Sequence, residues 1–322
     1  MKYEKISLMV NIAKLYYEHD YNQNMIAKKL NLSRPYVSKL LNEARAKGLV
    51  TIIINDPDEH ESMLEKEVRD KFGLLKAIIV PNSEDSDTLD KVAVAGAKYL
   101  NSILKDSDII GVSWGSTLYE FASNIVPRND LKNIKVVQLC GGISHIAKNI
   151  FASEIPKKIS EALLGTPYIL PLPAIVDNKQ TRDIITQDKN VAEIMKLGER
   201  ANISIFTMGL FGDECALARA RYISKKEVAY LKEMGAVGDI CTRIITERGE
   251  ICDTDLNDRT IAIDLNALKN KEYNIGIAAG HNKVRTIYGA LSGGYCNVLV
   301  TDEKTAIELL NLQSSIMAKL KL

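Results

Sequence analysis

Four short apolar runs in this chain end in glycine, and two of them continue into groups that hold anions. Residues 109–113 run into Trp114-Gly115-Ser116-Thr117, and residues 135–139 into Cys140-Gly141-Gly142. Residues 203–208 run into Gly209-Leu210-Phe211-Gly212, and residues 275–278 into Ala279-Gly280-His281-Asn282-Lys283. Glycine lets a backbone approach an anion closely, Ser and Thr hydroxyls add donors, and a helix N-terminus adds partial positive charge. Lys283 supplies a full charge. This is chemistry suited to phosphate. Each glycine turn alone is equally a plain strand-to-helix corner; the set of four is what points to a site. No loop matches G-x-G-x-x-G or the P-loop lysine pattern, which disfavours a nucleotide. Arg219 and Arg221 lie in an irregular stretch (ALARARYIS) and could hold a second anion. Asp239, in Gly235-Ala236-Val237-Gly238-Asp239-Ile240, could accept from sugar hydroxyls.

Such loops need a scaffold that brings strand ends together. Strands are expected over residues 76–80, 109–113, 135–139, 167–170, 203–208, 273–278 and 297–300. Helices are expected over 87–104, 116–124, 153–164, 190–200, 225–234, 282–291 and 303–312. Strands alternating with helices imply a parallel sheet covered on both faces, a Rossmann-like α/β domain whose ligand crevice lies at the carboxyl ends of the strands.

The first 56 residues read differently. Ile6, Met9, Val10, Ala13, Tyr16 and Tyr17 recur at helical spacing, so residues 3–18 form a helix. Met25, Ile26 and Leu30 form the apolar face of a second, and Val37, Leu40 and Leu41 that of a third. Ala27 is small where two helices cross. Asn31 suits a left-handed turn, Ser33 can cap the third helix, and Pro35 fits its first turn. This is a helix-turn-helix, with residues 33–46 as the helix that would enter a DNA major groove. Residues 50–54 (VTIII) add a strand, making the winged variant. Arg34 is placed for bidentate contact with guanine. Ser33, Tyr36 and Lys39 share its face, and Gln23 starts the preceding helix, where phosphate is commonly held. The plainer alternative is an ordinary helical subdomain. Residues 57–73 read as a linker helix and 74–322 as the α/β body.

Charge separates the parts in the same way. Residues 1–55 carry nine Lys and Arg against four Asp and Glu, whereas the whole 322-residue chain is only +1. A basic head on a slightly acidic body suits a polyanion partner at the head alone. No apolar run approaches a membrane span and no signal peptide opens the chain, so a cytoplasmic protein without a membrane partner is expected. The five cysteines are scattered without C-x-x-C spacing, so neither a metal nor a cofactor is expected.

In these features the chain resembles the SorC family of bacterial sugar-responsive transcriptional regulators. The resemblance rests on Ile26-Ala27 and Ser33 through Leu40, then on Gly111 through Leu118. It continues through Val137 to Gly142, Leu170-Pro171-Leu172-Pro173, Gly235 to Ile240, Gly280 to Lys283 and Gly293 to Glu303. It implies an N-terminal DNA-binding head, an effector domain similar to sugar-phosphate isomerases, a phosphorylated sugar as effector, and a dimer or tetramer. By position it implies Gly115, Ser116 and Thr117 as phosphate contacts and Gly141 and Gly142 lining the sugar. Arg219 or Arg221, Asp239 and Lys283 would close the site. His281 departs from a position where Gly is common, and the loop 141–154 (GGISHIAKNIFASE) is individual here. Lys148 lies in that loop and leaves imine formation with an open-chain sugar as an open reading.

The leading expectation is therefore a regulator without catalytic residues, whose operator binding responds to a sugar phosphate. An isomerase-like enzyme with an appended head is the alternative. It would need a general base, for which Asp239 and His281 are the candidates. A constitutive DNA-binding protein with a purely structural body is a third.

Overall fold

The structure is a computed structural model that describes residues 2–50, 61–82, 88–142 and 151–320. The chain divides into two compact units, Met1–His60 and Glu61–Leu322.

The first unit holds three helices, α1 (Lys2–Tyr17), α2 (Gln23–Leu30) and α3 (Arg34–Ala46). Asn22 caps α2 by accepting from the Met25 N–H at 3.0 Å, and Asn31 ends it in the left-handed conformation, φ 54°. Ser33 caps α3 by accepting from the Tyr36 N–H at 3.3 Å, with Pro35 in the first turn. Each cap satisfies backbone N–H groups that a helix start leaves without partners. The core joins Met9, Ile12, Leu15, Ile26, Ala27, Val37, Leu40, Leu41 and Ala44. Two expectations are corrected. The buried stripe of α1 includes Ile12 and Leu15 and leaves Ile6 at the surface, and Met25 is 49% exposed rather than part of the α2 face. The wing expected over residues 50–54 lies, apart from Val50, outside the described residues.

In the second unit, α4 (Met63–Phe72) falls within the stretch read as a linker helix and packs on the body. Its Val68 is fully buried in the body's core, with Leu64 and Phe72 packed against the same cluster. A Ser62–Glu65 capping box starts it and Gly73, at φ 66°, stops it. Glu65 also accepts from the Ile79 N–H at 3.0 Å, occupying a donor on an edge strand of the sheet.

Ten strands follow: β1 (Lys76–Val80), β2 (Ile109–Val112), β3 (Lys135–Gln138), β4 (Thr166–Tyr168), β5 (Ile203–Phe206), β6 (Met208–Leu210), β7 (Ala236–Ile240), β8 (Arg243–Thr246), β9 (Tyr273–Ile277) and β10 (Val298–Asp302). Seven form one parallel sheet in the order β1-β10-β9-β5-β2-β3-β4. The central strands β2, β5, β9 and β10 are buried on both faces, whereas the edge strands β1 and β4 are partly open. Helices α5 (Thr88–Ile103) and α6 (Ser116–Ser123) bury Leu100, Leu118 and Phe121 completely. Each such side chain contributes roughly 1.5–3 kcal/mol of burial. The remaining strands, β6-β7-β8, form a small antiparallel sheet that the sequence reading did not resolve. The run 203–208, read as one strand, breaks at Thr207: β5 stays in the main sheet and β6 leaves it.

Candidate functional site

The carboxyl ends of β2, β5 and β9 converge with the antiparallel β6–β8 sheet on a cavity of about 430 Å³. From β2 the chain passes through Ser113, whose N–H donates to the Ile205 carbonyl at 3.0 Å, into Trp114 and Gly115. Gly115 has φ 131°, a conformation that strains other residues, and it opens α6. The Tyr119 N–H donates to the Gly115 carbonyl, so by helix geometry the N–H groups before it have no intrahelical acceptor. Ser116 and Thr117 line the cavity beside them.

β9 delivers Lys283. Its loop is pinned by Asp302, which accepts from the Gly280 N–H at 3.1 Å, the Thr305 N–H at 3.0 Å and the Asn82 amide at 2.9 Å. β6 and β7 deliver Gly209 and Asp239, which are register partners. The Asp239 carboxylate accepts from the Thr242 N–H at 3.1 Å. Burial pushes the Asp239 carboxyl up to about 6, against the pull of that hydrogen bond and of the Lys283 charge. Burial lowers Lys283 in turn, and Asp239 opposes the shift. Arg219, itself exposed, completes the cationic lining.

Six of the nine predicted residues therefore share one cavity: Gly115, Ser116, Thr117, Arg219, Asp239 and Lys283. Three do not line it. Gly141 and Gly142 are tied by their N–H groups to the Ile261 and Leu172 carbonyls, at 2.9 and 2.8 Å. A Cβ on Gly141 would stand 2.2 Å from the Pro173 carbonyl oxygen, and one on Gly142 would stand 2.5 Å from the Ala152 Cβ. Glycine at both positions permits this close packing. The Gly141 carbonyl also accepts from the Trp114 indole at 2.9 Å, which fixes the ring at the cavity wall. Arg221 sits at φ 58° with an exposed side chain outside the lining. His281 is exposed and pairs with Glu308. Lys148 lies outside the described residues.

The sequence reading missed Thr207, Thr242 and three thiols, Cys140, Cys215 and Cys241. Thr207 had a signal, being the one polar residue between Phe206 and Met208 in an otherwise apolar strand end. Burial and a hydrogen bond with the Cys241 thiol hold Cys140 well above the usual thiol range, so it stays protonated. Among the described residues no group of three or more His, Cys, Asp or Glu is arranged to hold a metal ion.

In the head, Arg34, Tyr36 and Lys39 are exposed on α3, and the Ser33 hydroxyl is occupied as its cap. Gln23 is half-buried at the first position of α2. Val37, Leu40, Leu41 and Ala44 form the buried face, and Arg34, Tyr36 and Lys39 lie outside it, Arg34 and Tyr36 on opposite flanks.

Comparison with known proteins agrees with this layout. The family model Sugar-bind, a sugar-binding domain, matches residues 56–311. The deoxyribonucleoside regulator of Bacillus subtilis (strain 168) is 42% identical over 97% of this chain and 99% of its own. The sorbitol operon regulator of Klebsiella pneumoniae is 30% identical over 95% of this chain and 98% of its own. The crystal structure of that full-length regulator superposes with a TM-score of 0.77 over 95% of this chain and 98% of that one, at 31% identity. No helix among the described residues is long and apolar enough to cross a membrane. The match over both units, with the parallel sheet and the cavity at its strand ends, places the chain: it belongs to the SorC family of bacterial sugar-binding transcriptional regulators.

Proposed function

We propose that this chain is a cytoplasmic, homo-oligomeric regulator that binds operator DNA through a winged helix-turn-helix and is controlled by a phosphorylated sugar. The effector lies in the cavity at the ends of β2, β5 and β9. Phosphate sits at the N-terminus of α6, against Gly115, Ser116 and Thr117, with Lys283 and Arg219 supplying charge. Asp239 accepts from the sugar. The observation that carries this reading is the convergence of a glycine-opened helix start, two hydroxyls and a half-buried lysine on one cavity.

On the DNA side, α3 exposes Arg34, Tyr36 and Lys39 around its first turns, and Gln23 opens α2. Paired heads would have to match half-sites about one helical turn apart, or a multiple of it, so small rotations of the bodies change operator affinity. The effector acts by favouring one arrangement.

The chain carries no catalytic role or cofactor in this reading. Of the two candidate bases, only Asp239 faces the cavity, and His281 is turned to Glu308. A thermal-shift screen of phosphorylated sugars beside their unphosphorylated counterparts tests the proposal, since a ligand of the folded state raises its melting temperature by mass action. The relative named as a deoxyribonucleoside regulator puts pentose and deoxypentose phosphates first among the probes. A shift confined to free sugars would refute the phosphate site. Turnover of a sugar phosphate by the purified protein would support the isomerase-like alternative.

A further inference from the structure

Two separate parts of the fold line the cavity. Gly115, Ser116 and Thr117 belong to the end of β2 and the start of α6, within the layers of the main sheet. Gly209 and Asp239 belong to the antiparallel β6–β8 sheet, and Lys283 immediately precedes the helix Val284–Ser292. A ligand that touches both parts fixes their spacing and so favours the arrangement that suits it.

The helix Val284–Ser292 is fastened to the antiparallel sheet. The Thr286 hydroxyl donates to the Val237 carbonyl at 2.7 Å, on the same strand as Asp239. A Cβ on Gly238 would stand 2.1 Å from the Thr286 methyl, and one on Gly289 would stand 2.6 Å from the Thr246 carbonyl oxygen at the end of β8. Just past β8, a Cβ on Gly249 would stand 2.5 Å from the Gly289 carbonyl oxygen. Packing this close leaves no gap to absorb a shift, so strain is passed on. The helix therefore follows the strands that carry Gly209 and Asp239.

Tyr288 lies two residues beyond Thr286, and so is turned away from the Thr286 face of the helix. Its ring meets Phe72 edge to face, with centroids 6.2 Å apart and planes at 80°. Phe72 is the last residue of α4. α4 is the first described element after the head, so the chain passes through it between head and body. Two hydrogen bonds also hold α4. One is from the Ile79 N–H to Glu65, and the other is from the Gln313 amide, on the helix Glu303–Leu320, to the Lys71 carbonyl at 3.3 Å.

We infer that the helix Val284–Ser292 carries occupation of the cavity to α4, and that the Tyr288–Phe72 pair is the contact through which it does so. This rests on the effector reading of the cavity above and names how that site reaches the segment leading to the head. A displacement of the helix with its sheet re-seats Tyr288 on Phe72, because packed side chains settle into discrete arrangements rather than deform continuously. α4 then takes up the position that the new packing favours.

The test uses the full-length protein and an operator duplex selected from a random pool. The probe is the pentose or hexose monophosphate that most raises the wild-type melting temperature. Calorimetry reads probe affinity, and fluorescence anisotropy reads operator affinity with and without saturating probe. In wild type the two operator affinities should differ by about fivefold or more. Tyr288→Leu and Phe72→Leu should each bring that ratio below about twofold, with probe affinity within about threefold of wild type. Their double variant should be no worse than either one, since both break the same contact. Tyr288→Phe keeps the ring and should keep the ratio. Gln313→Ala, which frees α4 from the helix Glu303–Leu320 instead, should keep it too. If one of the two leucine variants does not fold, the other reads the same contact.

A wild-type ratio in a folded leucine variant, or a ratio lost only in Gln313→Ala, would overturn the inference while leaving the effector site standing. So would a loss of probe affinity equal to the loss of ratio, because the pair would then be shaping the cavity rather than relaying its occupation. A wild-type protein that binds no monophosphate, or binds one with no change in operator affinity, would instead refute the effector reading, and this inference with it.

Discussion

Gly209 and Asp239 face each other across the β6–β7 ladder, and the Asp239 carboxyl occupies the space a side chain at 209 would need. A Cβ there would stand 1.9 Å from the nearer carboxyl oxygen. The glycine is what allows the half-buried Asp239 carboxylate to lie over the strand that leaves the main sheet. Gly238, beside it, is equally constrained: a Cβ would stand 2.1 Å from the Thr286 methyl and 2.4 Å from the Gly209 carbonyl oxygen.

Gly209→Ala should therefore displace Asp239. Overpacking of this kind costs about 1–3 kcal/mol. The expected result is a lower melting temperature with loss of the effector response and retention of operator binding. Wild-type effector affinity in this variant would show that Asp239 does not contact the ligand.

Asp239 also makes stability depend on pH. Its folded-state value of about 6 lies above the ordinary 3.8, so the folded protein takes up the proton first. The contribution of the protonated group is fully present below about pH 4 and is lost as pH rises through 6. Asp239→Asn, which never ionises, should therefore be more stable than wild type at pH 7.5, by up to about 3 kcal/mol. The advantage should shrink to nothing near pH 4. Denaturant titrations at the two pH values check this, and an equal effect at both would contradict the burial argument.

Lys283→Ala should weaken binding of the phosphate ester by tenfold or more, since the charge acts within a largely desolvated site. Operator affinity without effector should stay at the wild-type level. Calorimetric titration and a DNA-binding titration separate the two; loss of DNA binding in a folded variant would count against the division of labour between head and body.

In the head, Arg34→Ala should reduce specific operator affinity by about 1–3 kcal/mol and relax specificity at one base pair. Ser33→Ala should act through the helix start instead, costing the head about 1 kcal/mol of stability. Unfolding curves and binding curves distinguish the two mechanisms.

The main sheet was legible because its central strands are buried on both faces and so appear as short, largely apolar runs. The β6–β8 sheet was not. Gly209 and Gly238 interrupt its strands, and Cys241-Thr242 carries none of the turn residues that announce a hairpin. Only close approach to Asp239 and Thr286 explains those glycines, and such contacts are long-range. The site was readable where chemistry follows a strand directly, as at Gly115-Ser116-Thr117 and Lys283. Gly141 and Gly142 read as a ligand loop in sequence; in the structure they pack against Pro173 and Ala152 and stand outside the lining of the cavity among the described residues. In α1, the placement of Ile12 and Leu15 in the core depended on where the other two helices pack. Helix period alone did not settle which apolar residues faced inward.

The central claim is that occupation of the cavity by a phosphate ester sets DNA affinity. The direct measurement is a fluorescence-anisotropy titration of the full-length protein against a duplex it selects from a random pool, at fixed salt. It should be repeated with each sugar monophosphate and with its unphosphorylated sugar. At least one monophosphate should change operator affinity fivefold or more, a coupling of about 1 kcal/mol, while its free sugar leaves it unchanged. A duplex bound with the same affinity in the presence of every phosphate ester, or one that responds equally to the free sugars, would contradict the account.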